Sequence, residues 1–339
     1  MQRRRRSPRL APLAATLALA ACGGPSAPAL PPLKIDAAAV SVSGISSGAY
    51  MAHQAHLAFS DRLVGAALLA GGPYHCARGA LDTALEQCVA PDQPPAVAPL
   101  ADIARERAQA GTLAPLAGLA GDRVWVYHGA RDTTVGENVS RASAELYAAL
   151  DAGAVVSTDF GREAAHLFPT VDAGGDCATV AAPYLGRCGF DAAGEIFRQL
   201  HPDRAAAATP AAAAAGELLP FDQAAFAAGA PAAHLGDTGY VYVPPQCKAG
   251  VCGLHIALHG CEQSVEKVGE SFVRDAGYNR WADATSMVVL YPQTASSLVP
   301  LNPKGCWDWW GYSGADYDTR GGAQLQWLAR VLAALGVET

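Results

Sequence analysis

Gly44-Ile45-Ser46-Ser47-Gly48 is the stretch of this chain whose residue types and spacing could do chemistry. A serine hydroxyl is a weak nucleophile unless it stands clear of the backbone beside a base. The flanking residues supply the first condition. Val40 and Val42 mark a short β-branched run, and the segment from Ala49 to about Phe59 reads as a helix, so Ser46 falls at the apex of a strand–turn–helix. Glycines two residues away on either side permit so tight a turn, because a side chain there would meet the neighbouring strand or helix. The helix start beneath the serine offers uncommitted N–H groups. The chemistry would be acyl transfer, and it needs a base and an acid from elsewhere in the chain.

Two later segments offer them. The predicted strand Val124–Tyr127 runs into His128-Gly129-Ala130-Arg131-Asp132, and the predicted strand Val155–Phe160 runs into the loop that holds His166. Ser46, Asp132 and His166 thus follow the order that an α/β-hydrolase uses, each just past a strand, where the working residues of an open α/β sheet gather. The competing residues fit less well. Asp122 precedes its strand and would lie at the wrong end of the sheet, and Glu137 reads as a helix-start acid. His128 and His259 sit at strand ends and read as structural or hole-shaping. His53 and His56 have i, i+3 spacing that suits a metal pair on paper, but no third ligand is near and core or surface histidines are the better reading. No cysteine pair has zinc-site spacing, and neither a metal nor a cofactor is expected.

These residues must be positioned by a large core. The chain has 339 residues, 51% of them hydrophobic and 16% charged, enough for one large α/β domain or two small ones. The formal net charge is −7, and removal of the first 21 residues, which carry five arginines and no acid, leaves 19 basic against 31 acidic residues, or −12. Nucleic acid is therefore not an expected partner. Arg3 to Arg6 and Arg9 followed by the apolar Leu10–Ala21 read as a signal peptide over 1–21. Leu19-Ala20-Ala21-Cys22 looks like a bacterial lipobox, so Cys22 is expected to be lipidated and 22–34 to be a flexible tether, the only route to a membrane. The catalytic domain is expected over 35–339, and the protein is expected to be exported, extracellular or anchored at the outer membrane.

Cysteine usage agrees with export. Nine cysteines less Cys22 leave an even eight. Sequence neighbours suggest Cys76–Cys88, Cys177–Cys188 and Cys247–Cys252, leaving Cys261 with Cys306, although eight cysteines allow on the order of a hundred pairings.

The remaining elements read in order. Leu63–Ala70 is a buried-length strand, Tyr74–Pro99 a disulfide-pinned loop, Ala101–Ala110 a short helix, and about Asn138–Leu150 a longer one. Ala205–Gly216 is Ala-rich but interrupted by Pro210, so it reads as a linker or surface loop. Strands are expected at Gly239–Val243, Leu254–Leu258 and Met287–Tyr291, with helices at Ser271–Ala284 and Gln324–Leu335. Leu254–Leu258 leading into His259-Gly260-Cys261 has the form of the strand and loop that supply an oxyanion hole, a unit that normally precedes the nucleophile. Its late position suggests circular permutation of a single hydrolase sheet flanked by helices, which exposed and adjacent termini tolerate.

The ordered set of motifs resembles the extracellular poly(3-hydroxybutyrate) depolymerases of the permuted type. The matching stretches are Gly44–Met51, His128–Asp132, Ala165–Thr170, Asp237–Pro244, Leu258–Cys261 and Asn302–Tyr312, and the likeness covers roughly 35 to 335. The resemblance implies Ser46 as nucleophile, His166 as general base and Asp132 as its orienter, with the backbone N–H groups of Ser47 and Cys261 as oxyanion hole. It also implies that the Trp cluster at 307–310 lines the polymer site, with Trp307 and Trp310 singled out. Three Trp and one Tyr within Asn302–Tyr312, between loop-forming Pro and Gly, favour ligand contact over core filling. The chain departs from the family in having no separate substrate-binding domain after the catalytic one, and in its lipobox. The implied function is hydrolysis of poly(3-hydroxybutyrate) or its oligomers by a monomer. Another secreted carboxylesterase, of feruloyl or acetyl-xylan type, would use the same triad. A non-catalytic polymer-binding surface lipoprotein is the third reading, and the complete triad argues against it.

Overall fold

Strand β1 (Lys34–Ile45) carries a Val-Ser-Val-Ser alternation that splits its side chains between two layers. Val40 and Val42 enter one hydrophobic layer, and Ser41 and Ser43 meet polar partners in the other. A computed structural model describes residues 27–89, 92–227 and 233–338. The expected signal peptide and Cys22 lie outside these residues. Of the expected tether, the described part is packed: Leu30 and Leu33 lie against the core, and the Pro28 carbonyl accepts from the Asp222 N–H at 2.7 Å.

Helix α1 (Ser47–Ala58) is buried along its whole length, and β2 (Gly65–Leu69) likewise. The stretch expected as a loop at Tyr74–Pro99 instead contains α2 (Leu81–Gln87) and the start of α3 (Val97–Gln109). α2 buries only Ala84, so its sequence shows no apolar stripe. β3 (Arg123–Gly129), α4 (Glu137–Leu150) and β4 (Val155–Arg162) follow close to expectation. β5 (Phe168–Thr170), β6 (Gly175–Asp176) and β7 (Leu185–Arg187) form a small separate sheet. Then come α5 (Ala192–Leu200) and α6 (Pro202–Ala205), after which the Ala-rich stretch has no regular element from 206 to 216.

β8 (Glu217–Asp222) was not signalled by the sequence because Pro220 interrupts it; it lies at the sheet edge, where proline is tolerated. β9 (Thr238–Val243), β10 (Val251–Leu258) and α7 (Val265–Val268) come next. The single helix expected over Ser271–Ala284 is two, α8 (Ser271–Asp275) and α9 (Tyr278–Thr285), broken at Gly277, whose φ of 97° no right-handed helix accepts. β11 (Met287–Tyr291) and α10 (Ala323–Ala334) complete the chain.

The sheet order is β4-β3-β2-β1-β10-β11-β9-β8, parallel from β4 to β11 and antiparallel at β9 and β8. β1 therefore pairs with β10, two segments far apart in sequence, with Gly44 opposite Leu258. One face is covered by α1, α3, α4 and α10, the other by α5, α8 and α9. Among the described residues no helix is long and apolar enough to cross a membrane. Four disulfides are present, Cys76–Cys88, Cys177–Cys188, Cys247–Cys252 and Cys261–Cys306; the first three close short loops and the last joins two distant ones.

Beneath β1 runs a hydrogen-bonded chain: His201 Nε2 to Ser41 Oγ (2.7 Å), Ser41 Oγ to His255 Nδ1 (2.8 Å), His255 Nε2 to Ser43 Oγ (2.7 Å), and Ser43 Oγ to Tyr278 Oη (2.8 Å). Burial lowers His201 to about 4 and holds His255 well below the usual histidine value. Burial also lowers His53, on α1, to about 3. In the unfolded chain each would titrate near ~6.5. Above that pH neither state binds the extra proton. As the pH falls from about 6.5 toward about 4, the unfolded chain takes up protons that the folded one refuses, so stability is lost at about 1.4 kcal/mol per pH unit per histidine. Urea midpoints are expected to be level near pH 7–8 and to drop through that window; a level profile down to about pH 4.5 would mean these rings enter the core charged.

Candidate active site

Ser46 links β1 to α1 with φ 56° and ψ −123°, a region non-glycine residues rarely occupy. Its N–H donates to the Leu69 carbonyl at 2.9 Å, and its own carbonyl accepts from Ala49 and Tyr50 at 2.9 and 3.2 Å. That strain, of order 1–3 kcal/mol, is held by close packing. A Cβ on Gly44 would lie 2.1 Å from the Gly48 carbonyl oxygen, and one on Gly48 would lie 2.5 Å from the carbonyl oxygens of Leu258 and His259. The elbow is thus sealed against itself and against the end of β10.

Asp132 stands in the turn after β3. Its side chain is fully buried; Oδ1 accepts from the Thr134 and Val135 N–H groups at 2.8 and 2.9 Å, and Oδ2 meets His166 Nδ1 at 2.6 Å. The Asp132 and His166 loops are locked together by Ala130 N–H to the Arg162 carbonyl (2.7 Å) and Arg131 N–H to the Ala164 carbonyl (3.1 Å). With Nδ1–H committed to the carboxylate, His166 keeps Nε2 as its acceptor, the tautomer a general base needs. His166 and Ser46 line the same cavity. His128 is also close to Asp132 (Nε2 to Oδ2 3.9 Å), but its hydrogen bond goes to the Val135 carbonyl at 2.8 Å, bracing the turn.

The late loop arrives through β10. Gly260 packs against the elbow, where a Cβ would come 3.4 Å from Ser46 Cβ. Ser47 opens α1, so its N–H is among the helix's uncommitted first-turn donors, and both Ser47 and Cys261 line the cavity. His259 is buried, lowered to about 4 by desolvation, and bridges the Gly260 carbonyl (2.7 Å) and the Thr294 N–H (3.3 Å).

The cavity encloses about 500 Å³. Tyr50, from the elbow helix, stacks on Trp309 at 4.5 Å to form one wall, and Trp310 extends it. Leu85, Val180 and Leu301 stand at the same cavity and are exposed. Trp310 thus faces the site, whereas Trp307 is not among the lining residues. Its indole N–H donates to the His259 carbonyl at 3.0 Å and its backbone N–H to Ser47 Oγ at 3.3 Å, so it braces the site from behind. The Asp308 carboxylate turns the chain between them by accepting from the Gly311, Tyr312 and Ser313 N–H groups. The sequence did not single out Trp309 or Tyr50; the position of Tyr50, one helical turn past Ser46, was the available signal for the latter.

The other candidates lie elsewhere. His56 is held between Tyr147 Oη (2.7 Å) and Asp122 (3.1 Å), His53 stacks on Tyr147, and Glu137 pairs with Arg141 on α4. Among the described residues no group of His, Cys, Asp and Glu could hold a metal ion.

No protein-family model matches the chain. It is 37% identical over 320 residues to a poly(3-hydroxybutyrate) depolymerase of Delftia acidovorans, in an alignment spanning 92% of this chain and 63% of that protein, less than two thirds of that relative's length. It is 37% identical over 316 residues to a polyhydroxybutyrate depolymerase of Talaromyces funiculosus, spanning 88% of this chain and 90% of that one. A PHB depolymerase solved as a serine-to-alanine variant complexed with an R3HB trimer superposes with a TM-score of 0.80 at 34% identity, covering 92% of this chain and 100% of that chain. The crystal structure of PHB depolymerase from Penicillium funiculosum superposes with a TM-score of 0.79 at 33% identity over the same shares.

Two substitutions test the geometry. Gly48→Ala is expected to cost about 2–3 kcal/mol in urea unfolding, since the added methyl would meet the backbone carbonyls of Leu258 and His259 at 2.5 Å; a wild-type midpoint would contradict the close approach. Asp132→Asn should leave the fold intact and lower ester turnover on the order of 10⁴-fold through loss of the His166 tautomer.

Proposed function

The chain belongs to the polyhydroxybutyrate depolymerase family, and from that premise we propose that it hydrolyses the ester bonds of poly(3-hydroxybutyrate) or its oligomers through an acyl-enzyme on Ser46. The observation that carries this reading is an apolar cavity, walled by Tyr50, Trp309 and Trp310, onto which Ser46 and the Asp132-bound His166 both open.

In this reading Ser46 Oγ attacks an ester carbonyl as His166 Nε2 takes its proton. Asp132 holds the imidazole and stabilises the imidazolium. The developing oxyanion is met by the N–H groups of Ser47 and Cys261, each worth about 3–4 kcal/mol in comparable sites. Collapse expels the hydroxyl end of the downstream unit, which receives the proton from His166. Water, deprotonated by the same ring, then releases the acyl group and restores Ser46.

A hydrophobic polyester suits the surroundings of the cavity. Leu85 and Leu301 at its edge are 59% and 57% exposed, and Leu298 and Val299, on the same loop as Leu301, are 78% and 90% exposed. Such an exposed apolar rim is the kind of surface that meets solid polymer. Trp310 and Trp309 line the cavity and offer aromatic surface to the substrate methyl groups, and Trp307 supports them. Export, with a signal peptide and a lipidated Cys22, rests on the N-terminal sequence and on the four disulfides, which persist in oxidising compartments. Circular permutation is the reading of an oxyanion loop that follows the nucleophile in the chain yet adjoins it in the sheet.

The test is product analysis on amorphous polyhydroxybutyrate. Release of 3-hydroxybutyrate and its short oligomers is expected from the wild type and not from Ser46→Ala. Release of ferulate or acetate from xylan substrates, with none from the polyester, would overturn the substrate assigned here.

A further inference from the structure

Gln263 is buried to 1% exposure at the junction of three loops, and the acyl-transfer chemistry leaves it without a role. Its Oε1 accepts from the Gly260 N–H at 2.8 Å. Its Nε2 donates to the Tyr184 carbonyl at 3.0 Å and to the Pro183 carbonyl at 3.3 Å. The Tyr184 carbonyl also accepts from the Phe168 N–H at 2.8 Å, two residues past His166. One amide side chain therefore touches the oxyanion-donating turn on one side and, through one carbonyl, the His166 segment on the other.

We propose that Gln263 is a positioning residue that sets the Gly260–Cys261 turn and the His166 segment in a single geometry through Tyr184. Occupying the Gly260 N–H orients that peptide and leaves the next one, Cys261, to face the cavity. The neighbouring Glu262 N–H is also taken, by the Lys304 carbonyl at 2.7 Å, so the turn is fixed on both sides of Cys261. Oxyanion donors act through preorganisation, so a loosened turn costs rate rather than affinity. Only a carboxamide fits the set of partners, because it offers an acceptor to one N–H and donors to two carbonyls. A carboxylate keeps the first contact and opposes the second.

This assignment rests on the acyl-transfer reading above, and the test separates the two. Wild type, Gln263→Met and Gln263→Glu are assayed on p-nitrophenyl butyrate, with active sites counted by fluorophosphonate labelling and folding followed by Tm. Gln263→Met should lower kcat per labelled site about 10- to 100-fold with KM within about twofold, the scale of a misplaced catalytic group. Gln263→Glu should fall between, and its kcat relative to wild type at the same pH should rise as the pH drops far enough to protonate the new carboxyl and restore one donor to Tyr184. Measuring both proteins at each pH cancels any acid effect common to them. Unchanged kcat per labelled site in Gln263→Met, or a loss matched wholly by fewer labelled sites, would overturn the role. Inactive wild type would instead overturn the acyl-transfer reading, and Gln263 with it.

Discussion

Gly48 lies where a methyl group would come 2.5 Å from two carbonyl oxygens, those of Leu258 and His259, so α1 and the end of β10 meet backbone to backbone. The consequences radiate from that approach. It brings the N–H of Ser47 and the turn at Gly260–Cys261 to the same end of the sheet, although their segments are more than 200 residues apart in the sequence. It also forces the strained φ of Ser46, because the chain must leave β1 and enter α1 with no room to widen the turn.

Around this contact the loops are joined pairwise rather than individually. Asp132 and His166 are tied by their own hydrogen bond and by backbone bonds between their loops. Cys261 is bonded to Cys306, which carries the aromatic loop, and Trp307 returns from that loop to His259 and Ser47. Each functional group is held by a neighbour that has its own second anchor, which is how a site built from loops acquires the rigidity of the strands below it.

What could be read from the sequence follows the range of the interactions involved. Ser46, Asp132 and His166 were visible because each stands just past a strand, and strand and turn signals are local. The disulfides within short loops were visible for the same reason. Which rings of the 307–310 cluster face the cavity was not, because in a non-repetitive loop the facing of each ring depends on where the Asp308 carboxylate gathers amides from Gly311 to Ser313. α2 escaped because it buries one residue, β8 because an edge strand can carry Pro220, and the break between α8 and α9 because a lone Gly277 does not announce a stop. The link from Gln263 to the His166 segment had no local signature, its partners at Pro183 and Tyr184 lying about 80 residues away.

The pairing of β1 with β10 has a consequence for synthesis. The first strand of the domain lies at the centre of its sheet, yet one side of it stays unpaired until residue 258 has left the ribosome. At translation speeds of about 5–20 residues per second, that interval is on the order of ten seconds or longer. Throughout it a Val-rich strand edge is open to the wrong neighbour, and parallel pairing over so long a separation is slow to close. A chain of this design depends on whatever shields that edge until β10 arrives, on whichever side of the membrane it folds.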